Sequence, residues 1–240
     1  MPAVFVRHSQ PYHPLSALWV RFQRWQDQVR EPALTVLLAI QLTFLFIIGP
    51  LVNINVLPHC LLDSVQIVMP MVSFFALQRN NKVRLFILLT NAPMVWILFA
   101  GSNIYIGLLL RTLVTLAVTV AVAQAVFQAR KVTRHQLLGA VVVYLNIALL
   151  FVGAFAGVKY LFPNAFITLS KAPLQSGELV YFSLTTITST GYGDILPVHP
   201  LARSLANLEA VSGQLFLGVF LARLVSLHGS LQGFKRSVGF

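Results

Sequence analysis

Acidic side chains are scarce in this chain, with 6 Asp and Glu against 17 Lys and Arg, and charged residues of all kinds make up only 10% of its 240 positions. A soluble globular domain carries roughly 25% charge, so most of this sequence cannot be the solvated surface of one. The single cysteine, Cys60, excludes an intrachain disulfide framework and a thiolate metal cluster. No Ser-His-Asp, metal-ligand or nucleotide-binding constellation is present, so neither an enzyme nor a bound cofactor is expected. His8, His13, His135 and His228 are scattered among polar segments and His59 is isolated, which leaves no metal site. Residues 1–32 contain arginines and lack an uninterrupted apolar core before a small-residue cleavage site, so no cleavable signal peptide is expected.

What is present is apolar: 57% of the residues are hydrophobic. A membrane-spanning helix needs about 20 of them in a row, and six segments qualify, at 34–52, 56–78, 84–101, 104–127, 137–161 and 201–226. A seventh, 176–188, is too short to cross and reads as a re-entrant helix buried in protein. Lys and Arg cluster before the first span, at Arg79, Lys82 and Arg84, at Arg130, Lys131 and Arg134, and at Lys235 and Arg236. Counted by the excess of positive charge on cytoplasmic loops, both termini are cytoplasmic and the chain is a multi-pass plasma-membrane protein, in the inner membrane if bacterial. Basic residues in clusters rather than stripes argue against nucleic acid as a partner and for contact with membrane lipids.

The expected organisation is all-α: a cytoplasmic segment 1–33, a four-helix scaffold 34–127, a linker 128–136, a pore unit 137–226 and a short cytoplasmic tail 227–240. That tail is too short for a soluble sensing domain.

Chemistry concentrates in Tyr181-Phe182-Ser183-Leu184-Thr185-Thr186-Ile187-Thr188-Ser189-Thr190-Gly191-Tyr192-Gly193-Asp194. A ring of backbone carbonyls can replace the water shell of a potassium ion. Successive carbonyls aim at one axis only if the backbone alternates into left-handed conformations, which Gly191 and Gly193 enter without a side-chain penalty. Tyr192 would then turn its ring outward onto Tyr181 and Phe182. The negative end of helix 176–188 would favour a dehydrated cation, with the hydroxyls of Thr188 and Ser189 at the inner mouth, Thr185 behind, and Asp194 at the outer mouth.

These residues resemble the potassium channel pore family, whose signature is Thr-x-x-Thr-x-Gly-Tyr-Gly-Asp. Ser189 stands where that family usually has Thr, and Thr190 where it usually has Val or Ile. Arg203, Gly213 and Gly218 also fall where two-helix bacterial potassium channels carry Arg, Gly and Gly; the resemblance covers 176–226. It implies potassium bound by backbone carbonyls from Ser189 to Tyr192. One filter segment per chain cannot close a ring, so a homotetramer is implied. The competing readings are a poorly selective cation channel, a non-conducting regulatory subunit with the pore fold, and the ion-translocating subunit of an uptake system.

Further polar or small residues at membrane depth carry expectations of their own. Gly213 and Gly218 are either a gating hinge or packing positions. Glu209 and Gln214 face either a cavity or a protein interior, with structural support favoured for Glu209. Asp63 and Arg111 lie at matched depth and are expected to pair. Arg111 alone on span 104–127 is too little charge for strong voltage sensing, since one charge crossing the field yields about 2.3 kcal/mol per 100 mV. His199 is expected to be a solvated loop residue near the outer mouth, where it could confer sensitivity to external pH.

Overall fold

A computed structural model describes residues 35–54, 56–58, 104–128, 134–170, 174–175 and 177–237. The expected spans 56–78 and 84–101, and Asp63 with its proposed pairing to Arg111, lie outside those residues or almost wholly so. Four described helices are long and apolar enough to cross a membrane. We label them α1 (Thr35–Val52), α2 (Ile104–Gln128), α3 (Arg134–Leu161) and α5 (Pro200–Ser237). Between the last two lie strand β1 (Phe166–Thr168), a ten-residue helix α4 (Glu178–Ile187) and strand β2 (Ile195–Pro197).

Local chemistry accounts for the irregular points. Phe44–Ile48 of α1 is a π-helical turn immediately before Pro50. Proline has no N–H to give the preceding turn and its ring presses on that turn's carbonyl, so a locally widened register relieves both problems. Helix α4 opens with Glu178, whose Oε2 accepts the Gln175 N–H at 2.6 Å and complements the positive end of the helix. Helix α5 opens with Pro200 in its first turn, a position that needs no N–H, and His199 Nδ1 accepts the Leu201 N–H at 3.3 Å. His199 also stacks on Phe162 at 4.0 Å and is half-buried, so it is a capping residue and not the solvated loop residue expected from sequence.

Two cores hold the helices together. Leu37, Leu38 and Leu45 of α1 meet Val114, Val118, Val122 and Val126 of α2 and Val142, Val143 and Leu145 of α3. Within this apolar seam, buried Gln41 Nε2 donates to Asn146 Oδ1 at 3.1 Å, so α1 and α3 are joined by a hydrogen bond where water is excluded. Arg111, half-buried on α2, is engaged by neighbouring groups. The second core gathers Phe155 and Val158 of α3, Phe166 of β1, Leu179 and Phe182 of α4, Ile195 of β2 and Ala202 of α5. Phe182 packs edge-on against Phe155 at 5.1 Å and Phe166 at 5.5 Å.

The strands pair antiparallel with Phe166 opposite Pro197 and Thr168 opposite Ile195. Flanking bonds extend this ribbon: Val198 N–H donates to Ala165 O at 2.8 Å and Leu169 N–H to Asp194 O at 2.9 Å. The architecture is thus mostly helical, with one short ribbon that the all-helical expectation did not include. Helix α5 also differs, continuing to Ser237 where a tail was expected from 227. Its apolar stretch ends near Ser226 but no proline follows, so the fall in hydropathy marks the end of the span and not of the helix.

Candidate functional site

The loop 188–194 joins the C-terminus of α4 to β2 and is the most unusual backbone described. Ser189, Gly191 and Gly193 have φ of 57°, 53° and 79°, so every second residue is left-handed. Glycine adopts this at no side-chain cost, whereas Ser189 does so against the preference of an L-residue. Sequence reasoning named the two glycines and missed Ser189, since nothing in its side chain announces a positive φ.

Helix α4 supplies the hydrogen bonds that hold this shape. Thr190 N–H and Gly191 N–H both donate to Thr185 O, at 2.8 and 3.1 Å, and Ser189 N–H donates to Thr186 O at 2.9 Å. The amides thus turn back toward the helix. The carbonyls of Ser189, Thr190, Gly191 and Tyr192 accept no hydrogen bond from any described residue. Carbonyl groups left in this state beside the negative end of a helix form an environment suited to a cation.

Side chains lock the same turn. Thr188 Oγ1 donates to Leu184 O at 2.7 Å and lies 2.9 Å from Thr190 Oγ1. Its proton is committed to its own helix, so Thr188 serves the frame of the loop more directly than the inner mouth to which sequence assigned it. The Thr190 hydroxyl, where Val or Ile was the usual type, is satisfied by that same pairing. The Tyr192 ring stacks on Tyr181 at 6.2 Å with planes 5° apart. Phe182, expected to share that stack, instead lies buried in the second core, because α4 turns Tyr181 and Phe182 to different faces. Tyr192 remains 71% exposed, so one chain covers only part of its ring. Asp194, half-buried, accepts the Ile195 N–H on Oδ1 at 3.1 Å. Arg203 Nε donates to Pro197 O at 3.0 Å and ties the start of α5 to β2.

Helix α5 reaches the loop from the other side. A Cβ on Gly213 would lie 2.7 Å from Ile187 Cγ1 and closer still to Ile187 O, so the missing side chain is what lets α5 approach the end of α4. Around Gly218 nothing lies within 4 Å. The Ile187 carbonyl also accepts Tyr144 OH from α3 at 3.0 Å. One turn earlier on α5, Glu209 is fully buried, with Oε1 hydrogen-bonded to Ser183 of α4 and Oε2 without a partner among the described residues. Ser183 Oγ also lies 2.8 Å from Ala148 O of α3, so three helices converge on one hydroxyl. Glu209 thus stands behind α4 and away from solvent, while Gln214 Nε2 donates to Ser189 Oγ at 3.0 Å from the exposed side.

A short helix, a donor-free carbonyl row and flanking apolar helices are features of a membrane-embedded ion-conducting protein, and residues 147–228 match the model of a family described as an ion channel. That match covers about a third of the chain and includes α4, the loop and most of α5. A 42-residue stretch is 43% identical to the inward rectifier potassium channel Kirbac3.1 of Paramagnetospirillum magnetotacticum, covering 18% of this chain and 14% of that protein. The chain therefore aligns with about a seventh of this relative's length. Together these findings support an ion-channel protein of the membrane and not an enzyme.

Proposed function

We propose that the chain is one subunit of a potassium-selective channel in which residues 188–194 from four copies line a single axial pore. The observation that carries this reading is the alternation of left-handed residues at Ser189, Gly191 and Gly193 with a row of carbonyls that no described residue satisfies. A dehydrated potassium ion gains from such a row what it loses in water. The similarity to a potassium channel agrees with this choice of ion. A second observation supports assembly: only 11% of the α5 span is buried within one chain against 39% of the α3 span, leaving Leu208, Val211 and Leu215 uncovered. Lipid, pore water and neighbouring copies would divide that surface, with α5 innermost.

In this reading the chain crosses the plasma membrane six times with both termini cytoplasmic, α4 is re-entrant, and Arg111 alone leaves conduction weakly voltage-dependent. The rival reading is a poorly selective cation pore, favoured by Ser189, whose side chain has more rotational freedom than the threonine it replaces. Potassium and sodium flux into liposomes bearing purified protein separates the two. Flux driven by potassium alone and abolished by Gly191→Ala supports the selective channel. Equal sodium flux supports the rival, and wild-type protein that passes neither ion overturns both.

A further inference from the structure

We infer that Gln214 is a positioning residue for the innermost ion site and that it replaces, by a hydrogen bond, a restraint that Ser189 lacks. The inference rests on the channel reading above. Serine has a single heavy atom beyond Cα on its Cβ and three accessible rotamers, so its hydroxyl has little intrinsic direction, whereas a β-branched threonine is held to fewer. At the base of a carbonyl row a wandering hydroxyl presents its proton to the ion as readily as a lone pair.

The structure supplies an external restraint at that atom. Gln214 Nε2 donates to Ser189 Oγ at 3.0 Å. Because an amide N–H can only donate, this bond occupies one lone pair of the hydroxyl and fixes its position, leaving the second lone pair for a cation. The reach depends on the adjacent residue: Gly213 brings α5 against Ile187 closely enough for the next side chain to span to the loop. Ser189 is already oriented by its left-handed backbone and by its N–H bond to Thr186 O at 2.9 Å. The amide of Gln214 therefore acts on the freedom that sets where the oxygen lies, rotation about the Cα–Cβ bond, and leaves the hydroxyl proton free to turn away from a cation.

The experiment measures reversal potentials of the full-length protein in bilayers with potassium and sodium on opposite sides. Q214M keeps an unbranched chain of similar length but has no donor, and Q214N keeps the donor on a shorter reach. Both should lower the potassium-to-sodium permeability ratio by about tenfold, the factor corresponding to one neutral hydrogen bond, while eluting at the size of the wild type. Adding S189T to Q214M should restore most of the ratio, because the branched side chain restrains the hydroxyl without help. A merely structural role for Gln214 predicts no such recovery. Selectivity retained in both single variants, or a loss that S189T leaves unrepaired, overturns the inference while the channel reading stands. A wild type without potassium selectivity removes both.

Discussion

Replacing Gly213 by alanine tests how closely α5 is held to the end of α4, and the sign of the effect is opposite to the usual one. In an unobstructed helix interior Gly→Ala stabilises by about 0.8–1 kcal/mol. Here the new Cβ would stand 2.7 Å from Ile187 Cγ1, short of an ordinary carbon contact by roughly 0.8 Å or more. The obstruction includes the Ile187 carbonyl, which sits in the last turn of α4 and accepts Tyr144 OH at 3.0 Å, so no flexible side chain can simply swing away. Overpacking of this kind costs about 1–3 kcal/mol, and displacing the carbonyl forfeits the Tyr144 bond, worth about 1 kcal/mol more. Subtracting the helical gain leaves a net loss of about 1–3 kcal/mol.

Gly157 and Gly218 provide the control, since a Cβ at either meets nothing within 4 Å and alanine there should recover the ordinary gain. Thermal denaturation of the three purified variants in one detergent gives the comparison, with Gly213→Ala melting below wild type and the other two at or above it. Potassium selectivity should fall in Gly213→Ala as well, because moving the end of α4 moves the amide contacts of Thr190 and Gly191 on Thr185. If Gly213→Ala melts at or above wild type and keeps its selectivity, the close approach of the two helices is not what this glycine is for, and a hinge becomes the better account.

Three further outcomes follow from the same geometry. Ser183→Ala leaves Glu209 buried with neither oxygen bonded, costing about 1–3 kcal/mol; adding Glu209→Leu should recover most of the loss, and a double variant no more stable than Ser183→Ala would refute the pairing. Tyr181→Phe should retain the stack on Tyr192 but lose the hydroxyl's hydrogen bond to Asp194 and so show a partial loss of selectivity, whereas Tyr181→Ala forfeits about 0.5–1.5 kcal/mol of ring packing as well and should lose more in reversal-potential measurements; an unaffected alanine variant would mean the stack does not hold the loop. His199→Ala removes the cap of α5 at a cost of about 0.5–2 kcal/mol, which His199→Asn should partly restore in a thermal melt, and equal melting of both with wild type would refute the capping role.

The parts of the fold legible in sequence are those written in long-range patterns. Apolar runs placed α1, α2, α3 and the start of α5 within a few residues, and the length of 176–188 separated α4 from them. The left-handed glycines were legible because glycine is the residue such a backbone requires. Ser189 was not, since its φ is imposed by the amides of Thr190 and Gly191 turning back to Thr185 and by the alternation that follows at Gly191 and Gly193. The ribbon of Phe166–Thr168 and Ile195–Pro197 is too short for a period of two to register, and the two strands lie on opposite sides of α4 in the chain. Adjacent Tyr181 and Phe182 were assigned one role although successive helical residues point about 100° apart, so one meets Tyr192 and the other the phenylalanine core. Gly213 and Gly218 look alike in sequence, and only the position of Ile187 tells them apart.

The loop 188–194 is unfavourable on its own terms, which bears on what must complete it. A left-handed Ser189 costs about 1–2 kcal/mol, and carbonyls withheld from donors add to that wherever water is excluded. Against this one chain supplies the amide bonds to Thr185 and Thr186, the Thr188–Thr190 hydroxyl pair, one face of Tyr192 and the bond from Gln214. None of these bonds falls on the carbonyls of Ser189, Thr190, Gly191 or Tyr192. The side left open needs positive charge and the exposed Tyr192 ring needs apolar cover. In the proposed channel a cation on the axis would meet the first need and a neighbouring copy the second. On that proposal ion and assembly would stabilise the same conformation, and potassium should raise the thermal stability of the protein above its value in sodium by the mass-action increment for a ligand bound only to the folded state. Equal melting in the two ions would show that the carbonyl row does not distinguish them.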